Sequence, residues 1–181
     1  MIKLQEIVSL LLIGIGLSMD AFSLSLGIGT YLRSNKKIVF LASSIGIFHF
    51  IMPIIGNILG NRIITFLDIE ASYILGIILI IIAIKMLIDS IKDEEVSLDL
   101  KYISLFFLAL IVSVDSFITG LGLSAITANI VLGSLIFSIC AFTISYLGLK
   151  LGEYSRVILG RYANYLGITI LFILGIKSFF A

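Results

Sequence analysis

The sequence predicts an all-α integral membrane protein of six transmembrane helices, arranged as two inverted three-helix repeats. Composition is the first ground: 181 residues, 60% hydrophobic and only 13% charged, with a mean hydropathy of +1.25. Soluble domains run at about 45–50% apolar and about 25% charged. The second ground is the spacing of the charges, which leaves apolar runs of about 20 residues, the length that crosses a hydrocarbon core. The third is a motif written twice. Ser18-Met19-Asp20-Ala21-Phe22 returns 95 residues later as Ser113-Val114-Asp115-Ser116-Phe117.

The first span, about residues 6–30, follows Lys3 and is too long for a signal-peptide core, so it is expected to be a retained helix. The second, about 38–60, lies between Lys37 and Arg62 and holds Pro53, the single proline. The third, about 71–90, leads into the acidic Asp89–Lys101 segment. The fourth, fifth and sixth are expected at about 102–124, 130–150 and 163–181. Strand alternation is absent, and Ile, Leu and Phe run on every face, which argues against a β-barrel. Residues 1–92 are then the first repeat, 93–101 a cytoplasmic acidic linker and 102–181 the second repeat.

Similarity between the halves extends beyond the motif. Gly27 and Gly122 keep the 95-residue offset, while Gly56 and Gly60 match Gly148 and Gly152 at 92. Ala71-Ser72-Tyr73 matches Ala163-Asn164-Tyr165, and Ile84-Lys85 matches Ile176-Lys177, again at 92. Three helices per copy is an odd number, so the second copy enters the membrane upside down, an architecture suited to alternating access around a midplane site. Six spans place Arg33, Lys36, Lys37, Lys85, Lys92, Lys101, Lys150, Arg156 and Arg161 on one side, and Lys3, Arg62 and Lys177 on the other. The basic excess marks the first side as cytoplasmic and puts both termini outside.

Chemistry concentrates at mid-depth. A carboxylate there is costly and points to function rather than packing. Asp20 and Asp115 each fall about fourteen residues into their spans, and His49, the only histidine, is midway along the second. Two carboxylates and an imidazole form a candidate first shell for a divalent transition metal, the oxygens suiting Mn²⁺ or Mg²⁺ and the imidazole favouring first-row metals. Ser23, Asn57, Ser116 and Thr119 are candidate supporting ligands. Gly16, Gly27 and Gly122 are candidate close-packing positions, and Pro53 a hinge that frees a backbone carbonyl. Each carboxylate could instead bridge helices, and the histidine could be a hydrogen-bond partner or a proton relay. Two neighbouring carboxylates repel, so a metal ion and protons would compete for the same oxygens, which couples the two.

Other classes fit poorly. Cys140 is the only cysteine, so neither an internal disulfide nor a thiolate metal cluster can form. A net charge of +1 gives no general attraction to nucleic acid. Neither a catalytic triad pattern, an HExxH pattern nor a nucleotide-binding motif is present, so an enzyme or an ATP-driven pump is not expected.

Taken together, Gly16-Leu17-Ser18-Met19-Asp20-Ala21-Phe22 with Gly27-Ile28-Gly29, Ser113 to Phe117 with Gly120-Leu121-Gly122, and Met52-Pro53-Ile54-Ile55-Gly56 resemble the MntP family of small bacterial manganese exporters. The resemblance covers essentially the whole chain. It implies Mn²⁺ export across the bacterial inner membrane, driven by exchange for protons, with Asp20 and Asp115 as ligands, no permanently bound cofactor and the bilayer as surroundings. It also implies Glu or Gln where this chain has His49. Oligomeric state is open. The competing readings are an amino-acid exporter of the lysine exporter superfamily type and a non-transporting, sporulation-related membrane protein. A zwitterion carrier needs a cationic partner for the substrate carboxylate, and no Arg or Lys stands at mid-depth.

Overall fold

A computed structural model describes residues 4–59, 100–123, 129–159 and 161–177, with the single positions 77, 80, 81, 83, 84, 87 and 127. Among these residues the chain is helical throughout, with no strand. The helices are α1 (Leu4–Gly29), α2 (Asn35–Leu59), α3 (Tyr102–Val112), α4 (Val114–Leu123), α5 (Ile130–Leu159) and α6 (Arg161–Lys177). Most of the predicted third span and of the acidic linker lies outside the described residues, as do residues 178–181.

Local chemistry accounts for the ends. The Ser34 carbonyl accepts from Lys37 at 3.0 Å and from Ile38 at 3.1 Å, starting α2. Asn129 caps α5: its side-chain oxygen accepts from the Leu132 N–H at 3.1 Å, while Thr127 Oγ1 accepts from the Asn129 N–H at 3.0 Å. Two boundaries differ from the sequence expectation. The fifth helix does not stop at Lys150 but runs 30 residues to Leu159. At 1.5 Å per residue that is about 45 Å, longer than the hydrocarbon core of about 30 Å. At the expected end Lys150 Nζ donates to Glu153 Oε2 and to Asn35 Oδ1, both at 2.7 Å. The predicted fourth helix is two segments, interrupted at Ser113, where φ is −97° and ψ is 7°.

Four described stretches are long and apolar enough to cross a membrane: Leu4–Gly29, Asn35–Ile58, Tyr102–Leu121 and Ile130–Ser155. Their outer faces carry bare apolar side chains such as Leu12, Ile58, Ile103 and Ile139. A soluble protein would bury such a surface, and a multi-pass membrane protein presents it to lipid. The core lies where α1 and α2 meet α5 and α3 packs on α2, around Leu24, Ile28, Tyr31, Leu41, Ile45, Leu105, Leu108, Ala141 and Leu149. Helix α5 is central, with α1 and α2 packed along it; α4 packs on α2, and α6 on α1 and α5.

Small residues set the approach of these helices, as expected where lipid removes the hydrophobic drive for association. A Cβ built on Gly148 of α5 would stand 2.8 Å from the Phe22 carbonyl oxygen and 3.0 Å from Ser25 Cβ of α1. A Cβ built on Gly56 of α2 would run into the Phe117 carbonyl oxygen and lie 3.4 Å from Gly120 Cα of α4. These are the same contact made twice: Gly56 and Gly148 are 92 residues apart, while Phe22 with Phe117 and Ser25 with Gly120 are 95 apart. Between them, Gly46 of α2 meets the Ser138 carbonyl of α5, again a pair 92 residues apart.

Candidate functional site

The two motif copies sit in different local structures. In the first, α1 runs unbroken through Asp20, whose residue is exposed. Ser18, buried, donates to the Gly14 carbonyl at 2.6 Å, and Ser23 donates to the Met19 carbonyl at 3.0 Å. A hydroxyl that donates to a carbonyl one turn back keeps its lone pairs outward, so Ser23 remains able to face a cation. Gly16 has nothing within 4 Å of a Cβ built on it, whereas Gly27 lies against α6, 2.9 Å from Leu171 Cγ on the same measure.

In the second copy the helix breaks just ahead of the carboxylate. Asp115 is half-buried in the first turn of α4, and the Ser116 N–H donates to its Oδ1 at 2.7 Å. A helix N-terminus favours negative charge there. The Ser116 hydroxyl donates to the Ser113 carbonyl at 2.5 Å, and Thr119 donates to the Asp115 carbonyl at 3.0 Å. Gly122 is the penultimate residue of α4. Asp20 and Asp115 each stand two residues before the phenylalanine that a glycine of a neighbouring helix meets, Phe22 and Phe117.

His49 is fully buried and meets the second motif from a different side. Its Nδ1 is 2.9 Å from both the Ile45 carbonyl oxygen and Ser113 Oγ, and its Nε2 has no partner among the described residues. Two residues along a helix turn a side chain by about 200°, so Ser113 facing α2 leaves Asp115 on the far face of the segment. Consistently, Gly56 and Pro53 of α2 touch Phe117 and Gly120, which share the Ser113 face. Among the described residues no three of the His, Cys, Asp and Glu side chains come together as a metal-holding group. His49 thus does not complete a three-residue cluster with the two carboxylates.

Of the remaining candidates, Pro53 is buried inside α2 and removes the N–H that would bond the His49 carbonyl one turn earlier. Asn57 is half-buried one turn beyond. Two features went unread in the sequence: the interruption at Ser113 and that residue's bond to His49. A Ser followed by Asp two residues later is a helix-start signal. It is ambiguous here, because Ser18 and Asp20 carry the same signal inside an unbroken helix.

Comparison with known proteins adds a family. A family model described as "Putative manganese efflux pump" matches residues 32–179. Over nearly full length the chain is similar to proteins named "Putative manganese efflux pump MntP". With that of Bacillus pumilus (strain SAFR-032) it is 34% identical over 180 residues, covering 97% of this chain and 96% of the relative. With that of Bacillus mycoides (strain KBAB4) it is 35% identical over 178 residues, covering 98% of each. The Geobacillus thermodenitrificans (strain NG80-2) relative is 33% identical over 177 residues, with 97% of each chain covered. No solved structure matches the fold.

Proposed function

The chain belongs to the manganese efflux pump family, and from that premise we propose that it exports Mn²⁺ from the cytoplasm through a site shared by Asp20 and Asp115. The observation that carries the site is that two copies of one motif, 95 residues apart, are met by the same glycine contact, Gly148 on Phe22 and Gly56 on Phe117, so that Asp20 and Asp115 stand in equivalent places. Two unneutralised carboxylates in a poorly solvated region repel, and a divalent cation relieves both charges at once. Oxygen donors suit Mn²⁺, and Ser23 and Thr119 stand one turn after Asp20 and Asp115 to add hydroxyl oxygens; Ser116 and Asn57 are more distant supports. Metal and protons compete for the same oxygens, so a proton entering from outside discharges the metal outward and the cycle is an antiport.

The reading includes a six-helix architecture of two inverted repeats, 1–92 and 102–181, joined by the linker at 93–101. Its support is the duplicated Gly–Phe contact and the Gly46–Ser138 contact between equivalent positions, the pattern that a pseudo-two-fold axis generates. Rocking of one half against the other then exposes the site alternately. The basic excess on one side puts both termini outside.

The test is Mn²⁺ efflux from metal-loaded cells lacking their own exporter. The wild-type chain is expected to lower cellular manganese and restore growth in high Mn²⁺, and the Asp20→Asn/Asp115→Asn chain to do neither at equal expression. Full activity of the double variant would remove the proposed site. Failure of both chains would remove the metal assignment and favour the amino-acid exporter or the non-transporting membrane protein.

A further inference from the structure

The hydrogen bonds around His49 fix its tautomer. The Ile45 carbonyl has no hydrogen to give, so at 2.9 Å it can only accept from Nδ1. Ser113 Oγ has a single hydrogen, and that one goes to the Ala109 carbonyl at 2.7 Å, so toward His49 Nδ1, also 2.9 Å away, the serine accepts too. Both contacts therefore require a hydrogen on Nδ1, shared between two acceptors. In the neutral ring Nε2 is then a bare lone pair, and it is the buried ring atom without a partner.

The bond reaches the chain at a particular place. Ser113 is the residue at which α3 ends and α4 begins, and its carbonyl receives the Ser116 hydroxyl while the Ser116 N–H holds Asp115 Oδ1. Helix α2 therefore grips the interruption on both sides: through His49 at Ser113, and through Pro53 and Gly56 against Gly120 and Phe117. The other half keeps the glycine contact, Gly148 on Phe22, but lacks the histidine bond, since the position 92 residues after His49 is Ala141, and α1 runs unbroken past Ser18.

We infer that His49 is a positioning residue for the second carboxylate: its Nδ1–H, acting through Ser113, sets the helix interruption that presents Asp115. This rests on the two-carboxylate reading for what Asp115 does, but the geometry of the histidine does not. Two substitutions separate the ring nitrogens. An Asn amide nitrogen occupies the place of Nδ1 and keeps the donor to Ser113; a Gln amide nitrogen occupies the place of Nε2 and gives that donor up.

The experiment has two arms. Because the chain has one histidine, ¹⁵N-histidine NMR of the wild-type protein in lipid nanodiscs reports this ring alone. The Nδ1–H tautomer is expected, and an Nε2–H tautomer overturns the inference. The second arm measures Mn²⁺ transport into everted membrane vesicles, with melting curves as the folding control. His49→Gln is expected to raise the half-saturating Mn²⁺ concentration by about three- to tenfold, the effect of one ordinary lost hydrogen bond, with a smaller change in maximal rate. His49→Asn is expected to stay within about twofold of wild type, since it restores that same bond. The reverse order would make Nε2 a metal ligand, and equal behaviour of the two variants would make His49 mere packing; either overturns positioning. If Asp20→Asn/Asp115→Asn still transports while the tautomer is as stated, the carboxylate site fails and the positioning bonds stand.

Discussion

In the first motif copy α1 passes straight through Asp20 and leaves it exposed, with Ser18 bonded, among the described residues, back along its own helix. In the second copy the helix stops at Ser113 and restarts, and Asp115 is half-buried under the Ser116 N–H. The two serines even make the same bond, to Gly14 at 2.6 Å and to Ala109 at 2.7 Å, residues 95 apart. What differs is across the interface. Ser113 also receives the His49 Nδ1–H, and the equivalent position opposite the first copy holds Ala141, which has no hydrogen to offer. A duplicated motif has thus been given two environments by one residue on a neighbouring helix. The carboxylate in the broken copy is half-buried and accepts a backbone N–H, and the one in the straight copy is exposed on a continuous helix.

The largest effect expected from breaking this comparison is at the glycine contacts. Gly56→Leu would drive a side chain into backbone at Phe117, which cannot yield as a side-chain tip can, and should cost at the upper end of about 1–3 kcal/mol in melting of the purified protein. Gly16→Leu, with nothing within 4 Å of its Cβ position, should leave the melting curve unchanged. Next come the carboxylates. Asp115→Asn and Asp20→Asn should each lower Mn²⁺ efflux by roughly ten- to a hundredfold, the value of a charge-assisted contact of about 1.5–3 kcal/mol. Equal losses would mean that the exposed and the half-buried carboxylate matter alike, and a larger loss at Asp115 would sharpen the asymmetry.

The serines give a smaller difference. Ser113→Ala, which removes an inter-helix acceptor, should destabilise by about 0.6 kcal/mol, the average for such bonds within membranes, and by no more than about 1.7 kcal/mol. Ser18→Ala, which removes only a bond within α1, should cost less; the opposite ranking would deny His49 its part in the second copy. Smallest of all, Glu153→Gln should leave melting unchanged at physiological salt, because the Lys150–Glu153 pair at 2.7 Å is partly solvated and within one helix turn.

Much of this was legible before any fold was known. Apolar run lengths located α1, α2 and α6 to within a few residues, because lipid tolerates few charges along a span. The offsets of 95 and 92 picked out Gly56 with Gly148 and Phe22 with Phe117, which became the duplicated contact. The paired aspartates were visible as costly residues at one depth. Three features were not. Helix α5 continued past Lys150, where that charge meets Glu153 and Asn35, and such partners are invisible in a charge count. The break at Ser113 comes with a hydrogen bond to His49, 64 residues away, and local helix signals shared with Ser18 could not reveal it. Equal depth also put His49 beside both aspartates, yet depth is one coordinate of three, and the rotation of α2 about its axis aims the ring at Ser113, on the face of the broken helix opposite Asp115.

The central claim is that one ion is shared by two motif copies, and Mn²⁺ binding followed by electron paramagnetic resonance tests it most directly. Purified wild-type chain should bind a single Mn²⁺, and both Asp20→Asn and Asp115→Asn should lose it. Two ions per chain, each lost with its own aspartate alone, would contradict the shared site.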